Sequence, residues 1–188
     1  MQLANKPIVW LDVETTGLSP TTHEMLEFAA IKEWQGQIST LTIKIKPQHI
    51  ELAHPKALEV NGYTEAAWAD ALMPFQAAIM IRDFLAGCTA VAHNAKFDSG
   101  FVAALLERAG FGDRQPTHWI CTQTIAQERL FPYGLKSKSL KNVCKFLDIP
   151  EENPVHRAFE GAFRCRAVYY KMQKISWWQR FCWWINNR

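Results

Sequence analysis

The sequence predicts an α/β fold in which a mixed five-stranded sheet carries helices on both faces. Three observations predict it. Ile8-Val9-Trp10-Leu11-Asp12-Val13-Glu14 is an apolar, β-branched run that turns acidic at its end, as a buried central strand does where it surfaces. Two further strand patterns, 25–33 and 37–46, follow at once and join at Gly36, which gives an antiparallel meander. From residue 74 onward helical and strand patterns alternate, the order of a sheet covered by helices.

Each element has its own signal. Thr15-Thr16-Gly17-Leu18-Ser19-Pro20 breaks the first strand, and Pro47 ends the third after the alternation Leu41-Thr42-Ile43-Lys44-Ile45-Lys46. Residues 74–86 show helical apolar spacing at Phe75, Ile79 and Leu85, and Thr89-Ala90-Val91-Ala92 is a short strand after Gly87. A helix from Phe97 to Ala109 stops at Gly110, a residue suited to the left-handed position beyond a helix end. Trp119-Ile120-Cys121 is the fifth strand, followed by a helix over 122–131 that Pro132 and Gly134 close. Ser139 caps the next helix, 140–147. Pro154 precedes the last, 157–174, whose packed face holds Ala158, Ala162, Cys165 and Tyr169.

At 188 residues the chain exceeds a typical domain of about 150 residues by little. One domain over 1–174 and a tryptophan-rich appendage over 175–188 are expected. Apolar residues at 48% and charged residues at 21% exclude a disordered or collagen-like chain. With no run of about 18 apolar residues and no basic-then-apolar leader, a cytoplasmic protein is expected. Cys88, Cys121, Cys144, Cys165 and Cys182 are odd in number and lack metal-ligand spacing, which fits reduced thiols. The first 94 residues carry 6 basic and 10 acidic groups, and the remainder 15 and 8; a basic C-terminal half suits a polyanionic partner.

Residues two apart on a strand point to one side, so Asp12 and Glu14 place two carboxylates together. Such a pair needs a cation, and hard divalent ions take oxygen ligands. A lone acid-x-acid pattern also fits an exposed edge strand, but the apolar lead-in argues against exposure. His93-Asn94-Ala95-Lys96-Phe97-Asp98 opens a helix after a buried strand. Asn94 there is either a cap and Asp98 a complement to the helix dipole, or Asp98 is another metal carboxylate. His156 lies two residues after Pro154 and reads as a surface residue or a base.

Together, Asp12-Val13-Glu14-Thr15-Thr16-Gly17, His93-Asn94-x-x-Phe97-Asp98 and His156-Arg157-Ala158 resemble, in order, the three motifs of the DEDDh exonucleases. The likeness takes in Asn61-Gly62-Tyr63-Thr64, Cys121-Thr122, Ser139-Leu140 and Leu147-Asp148-Ile149-Pro150, and runs over roughly 7–172. It is strongest to the bacterial proofreading-subunit and stand-alone branch. The resemblance implies a ribonuclease-H-like sheet and metal-dependent hydrolysis of phosphodiester bonds at 3′ ends of DNA or RNA. It implies that Asp12, Glu14 and Asp98 hold two Mg2+ or Mn2+ ions, and that His156 deprotonates the attacking water. Thr15 and Leu18 match residues that contact the terminal nucleotide, Leu18 as an apolar wedge, with core packing as its alternative. His93 and Asn94 are expected beside the substrate.

One position departs from the family pattern. Five residues after the motif histidine the family has aspartate, the fourth metal carboxylate, and this chain has Gly161. Glu160 is adjacent, but one helical residue turns a side chain by about 100°. Losing a direct ligand should cost at least the ~10–100-fold that lost second-shell partners cost, so a severely weakened enzyme is expected. The alternative is a noncatalytic module that holds 3′ ends for a partner protein.

Lys138, Lys141 and Lys145, with Lys136 before them, form a stripe for backbone phosphates or a merely solvated face. The segment 175–185 carries four of the eight tryptophans. Packing against this chain or a protein partner is the leading reading, and membrane-surface contact is the next. Gln127-Glu128-Arg129-Leu130-Phe131 is similar to a sliding-clamp-binding pentapeptide, yet it falls in a helix with Leu130 and Phe131 expected to be buried.

Overall fold

The computed structural model describes residues 6–150 and 157–176, together with 179, 182, 183 and 185. Five strands form one sheet: β1 (Ile8–Thr15), β2 (Met25–Trp34), β3 (Gln37–Lys44), β4 (Thr89–Ala92) and β5 (Trp119–Cys121). Their order is β3-β2-β1-β4-β5. β1 to β3 are antiparallel, and β4 and β5 continue the sheet in parallel with β1. The acidic strand is therefore central, as its apolar lead-in predicts, and the edge-strand reading of Asp12 and Glu14 falls.

Six α-helices are described: α1 (Pro55–Asn61), α2 (Pro74–Leu85), α3 (Ala95–Arg108), α4 (Thr122–Leu130), α5 (Leu140–Phe146) and α6 (Ala158–Gln173). One face of the sheet puts Val9, Leu11 and Val13 into a core with Ala77, Ile81, Phe101, Val102 and Leu105. The other puts Trp10 and Val91 against Cys165 and Tyr169 of α6. Strand alternation thus sends Asp12 and Glu14 to the α6 face. A third cluster joins α4, α5 and α6 through Leu130, Val143, Leu147, Val168 and Met172.

Local chemistry accounts for most boundaries. Ser139 caps α5 by accepting a hydrogen bond from the Asn142 N–H, and Gly110 takes the left-handed conformation after α3. The packed face of α6 holds the four residues its spacing picks out.

Three local expectations need correction. α2 buries Ala77, Ala78, Ile81 and Leu85 in the core it shares with α3, whereas Phe75 is exposed and stacks on Phe111. Asn94 stands at the N-cap of α3 in a left-handed conformation and makes no side-chain cap bond. Leu130 is buried, but Phe131 is 38% exposed in the 3-10 turn that follows α4. α1 has no forecast in the sequence reading, although Pro55 in its first turn and left-handed Gly62 at its end are the usual punctuation of a helix.

Candidate active site

The site forms where β1 and β4 end and α3 and α6 begin. Asp98, in the first turn of α3, is 2% exposed. Its carboxyl accepts hydrogen bonds from its own N–H and from the Val13 N–H, which seats it beside the strand between Asp12 and Glu14. Burial pushes this carboxyl well above the usual carboxylate range, and Cys121 and Glu14 add to the rise. Asp12 and Glu14 are each half-buried. Asp12 lies against α6: a Cβ built on Gly161 would meet the Asp12 carboxylate, with Cγ at 2.5 Å and Asp12 Cβ at 3.1 Å. Position 161 therefore faces Asp12, and Glu160 is turned from it by one helical step. The Cys165 thiol, one turn on, is fully buried and raised well above its ordinary range by that burial, with Asp98 and Asp12 contributing.

Three carboxylates converging on a buried site are a donor set of the kind divalent cations take, since like charges here need a countercharge. Among the described residues no group of three His, Cys, Asp or Glu side chains stands as a ready-made metal cage. The fit is one of chemistry: Asp98 lies beside Glu14, and Asp12 faces position 161 of α6.

Beside the carboxylates lies a pocket of about 470 Å3 lined by Glu14, Thr15, Leu18, Lys56, Asn61 and Phe97, among others. Leu18 stands at this pocket 84% exposed, which rules out the core-packing alternative. The turn that presents it is tightly made. The Thr15 hydroxyl donates to the Gly17 carbonyl at 2.6 Å, and the Thr16 hydroxyl accepts from the Glu24 N–H at 2.8 Å. Gly17 has no room for a side chain, because the His23 ring packs over its Cα, with Cγ 2.6 Å from a built Cβ. Asn61, 4% exposed, closes the pocket wall by donating from Nδ2 to the Thr15 carbonyl at 2.9 Å.

The other candidates separate. His93 is buried with both ring nitrogens engaged, Nδ1 with Thr122 Oγ1 at 2.9 Å and Nε2 with the Lys138 carbonyl at 2.8 Å. Burial, with Arg164 adding, lowers its pKa against the hydrogen bond to Lys138. Nε2 donates to the carbonyl, and Nδ1 lies against the Thr122 hydroxyl, which itself reaches the Ala92 carbonyl at 3.2 Å. His93 pins β4, α4 and the approach to α5 to one another. Asn94 is exposed at the start of α3, and Lys138, Lys141 and Lys145 are exposed on and before α5. Only Lys141 and Lys145 belong to that helix. His156 lies outside the described residues.

Two residues at the site carry no motif of their own, Asn61 and Glu27. Asn61 stood within the matched text, and Glu27 was legible as an acid inside an otherwise apolar strand.

A family model described as an exonuclease of the ribonuclease T type matches residues 9–169. The chain belongs to this family, the DEDD 3′–5′ exonucleases on a ribonuclease-H-like fold. The DNA polymerase III PolC-type protein of Bacillus cereus is 34% identical over 173 residues, which cover 92% of this chain and 12% of the polymerase. The crystal structure of E. coli exonuclease I in complex with a dT13 oligonucleotide superposes with a TM-score of 0.77 at 20% identity, covering 95% of this chain and 43% of that one. A zinc-bound form of the E. coli exonuclease I complex with single-stranded DNA gives 0.74 at 18%, covering 95% and 42%. The chain thus spans a minor part of the polymerase and less than half of exonuclease I. Among the described residues no helix is long and apolar enough to cross a membrane.

Proposed function

We propose that this chain is a DEDDh-type module that binds 3′ ends of DNA or RNA in the cleft between the tip of β1, α1 and α3. The observation that carries this reading is the Asp98 carboxyl hydrogen-bonded to the Val13 N–H, which brings the second motif onto the first. Asp12, Glu14 and Asp98 would hold two Mg2+ or Mn2+ ions, which supply charge neutralisation for the attacking and leaving oxygens. His156 would accept the proton of the attacking water, the role in which histidine most often serves as a general base. Leu18 would wedge beside the last base, with Thr15 and Asn61 fixing the wall against which the terminal nucleotide rests. His93 serves by holding the strand end that leads into Asn94 and Asp98. Lys138 and Lys141 would meet backbone phosphates further along.

In this chain the reaction is severely weakened, because Gly161 supplies no fourth carboxylate and lets Asp12 lean onto α6. That contact also favours a second reading, a noncatalytic module that holds 3′ ends for a protein partner. Metal-dependent degradation of 3′-ended oligonucleotides by this chain and by Gly161→Asp separates them. A gain in rate of at least about 10- to 100-fold is expected for the variant. Equal rates would overturn the role given to position 161, and binding without turnover in both would favour the noncatalytic module.

The domain is proposed to span 1–174, with 175–188 as an appendage that packs on the same chain. Trp183 lies 4.8 Å from Phe146 and 6.3 Å from Tyr133, ring to ring. Ser176 and Gln179 exchange hydrogen bonds, the Ser176 N–H donating to Gln179 Oε1 at 2.9 Å and the Gln179 N–H to Ser176 Oγ at 3.2 Å. This is the capping box of a helix start. The Trp183 contacts favour self-packing over a membrane surface or a protein partner.

A further inference from the structure

The outer edge of β3 is open over most of its length. At its end the Lys44 carbonyl accepts from the Leu72 N–H at 2.9 Å, whereas the Ile45 N–H turns inward to the Leu26 carbonyl at 2.8 Å. Backbone groups alternate sides along a strand, so the N–H and C=O of Ile38, Thr40 and Thr42 point outward as those of Lys44 do. Among the described residues nothing bonds them there. β3 follows β2 without a shift in register, and residues 37–43 hold no charge, proline or glycine. Charges, prolines and bulges are the usual devices that keep an edge strand from pairing with another chain, and this stretch has none of them.

The side chains of this edge divide between the two faces of the sheet. Leu41 and Ile43 enter the core with Val9 and Leu11, which leaves Ile38, Thr40 and Thr42 on the α6 face. Ile38 is 61% exposed. Phe159, Phe163, Arg166 and Tyr170 recur at i, i+4, i+7 and i+11 and form one stripe of α6. Arg166 and Tyr170 both donate to the Glu33 carboxylate, and Glu33 stands opposite Ile38 in register. The stripe therefore lies on the flank of α6 nearest β2 and β3, and its Phe159 and Phe163 are exposed. Apolar surface of this kind beside an unpaired strand marks a place where another chain is bound.

We propose that this edge pairs with β3 of a second copy of the chain, antiparallel across a two-fold axis at Thr40. The edge is its own complement. Pairing runs no further than Thr42, because the Lys44 carbonyl is taken by Leu72, and the open stretch 38–42 matches itself in length. An axis at Thr40 sets Thr40 against its own copy and Ile38 against Thr42 on either side, the reciprocal register an isologous contact requires. Each of these opposed pairs exchanges both N–H···O=C bonds. No like charges meet, since Lys44 falls opposite Gly36 of the turn. The second copy's Ile38 comes beside Thr42, on the face that carries the exposed phenylalanines of α6. Such a dimer joins the two five-stranded sheets into one, with both α6 helices on the same face and the two clefts at opposite ends.

The test is sedimentation velocity of the full chain over a range of concentrations, where the unaltered chain is expected to pass from monomer to dimer and stop there. Two double variants differ only in the charge at position 42. Ile38→Lys with Thr42→Lys sets like charges opposite one another across the axis and should weaken the dimer by about tenfold or more relative to Ile38→Lys with Thr42→Glu, in which each lysine meets a glutamate of the second copy. Thr40→Pro deletes an outward N–H that β2 does not use, a place where an edge strand tolerates proline, and should abolish the dimer. Thermal unfolding shows that each variant is folded; should Thr40→Pro fail to fold, the two double variants decide the matter. Oligonucleotide binding is expected to stay unchanged in all of them, because β3 lies away from the cleft, so the result is independent of the function proposed for that cleft. A chain that remains monomeric at every concentration, an assembly that grows beyond a dimer, or a dimer indifferent to the charge at position 42 would overturn the proposal.

Discussion

Replacing Gly161 by aspartate changes stability and chemistry in a way the structure lets one work out. Any side chain at 161 starts with its Cβ 2.5 Å from Asp12 Cγ, so Asp12 must rotate away. Alanine imposes the same displacement and gains up to about 1 kcal/mol in helix propensity; it is the steric control. Aspartate adds a second carboxylate, and two unit charges about 4 Å apart repel by roughly 4 kcal/mol at an effective dielectric of 20. Proton uptake limits that cost, at about 1.4 kcal/mol for each unit by which a pKa rises. Without metal, Gly161→Asp should therefore unfold at a lower temperature than Gly161→Ala. With Mn2+ at a hundred times its Kd, binding contributes about 2.7 kcal/mol, which at about 2–4 °C per kcal/mol for a domain of this size raises the midpoint by roughly 5–10 °C. The assay is thermal unfolding of both variants in chelator and in Mn2+, alongside oligonucleotide degradation. If alanine and aspartate respond to Mn2+ alike and neither degrades DNA or RNA, position 161 is not a ligand position and the reasoning fails.

Four other outcomes are expected. Because the His93 pKa is lowered in the fold, the unfolded chain binds a proton first on acidification; stability present above about pH 6.5 should fall as pH drops toward the folded value. His93→Gln should flatten that fall, and an unchanged pH profile of the unfolding midpoint would argue against it. Leu18→Ala should leave stability within about 0.5 kcal/mol, since the side chain is 84% exposed, yet weaken oligonucleotide binding by up to about 2 kcal/mol as apolar contact with the terminal base is lost; unaltered affinity would remove Leu18 from the pocket's work. Lys141→Ala should reduce the slope of log affinity against log salt by about one, and an unaltered slope would mark that lysine as a solvated surface group. Removing residues 175–188 should leave liposome flotation unchanged while lowering the unfolding midpoint, because Trp183 packs on Phe146; flotation that depends on the tail would reverse that reading.

Much of the fold was legible because its strongest signals are local. The apolar lead-in to Asp12 marks a central strand, and Gly36, Gly110 and Ser139 punctuate where turns and caps need them. The meeting of Asp98 with β1 was legible only through the likeness of the motifs, since nothing in the spacing between residues 14 and 98 dictates it. What stayed hidden depends on tertiary partners. The bonds that hold the His93 ring come from Thr122 and the Lys138 carbonyl, 29 and 45 positions away. Glu27 reads in isolation as an interruption of an apolar strand; its meaning comes from Arg157, far along the chain. The misplacing of Phe75 has a similar origin: Leu85 is buried as its spacing predicts, whereas Phe75 finds its partner in Phe111.

The central place of β1 bears on how the molecule comes apart. Flanked by β2 and β4, it should be among the last segments whose amides exchange with solvent, as core strands generally are. Mild denaturation would then loosen the outer elements first and leave the acidic pair on intact backbone.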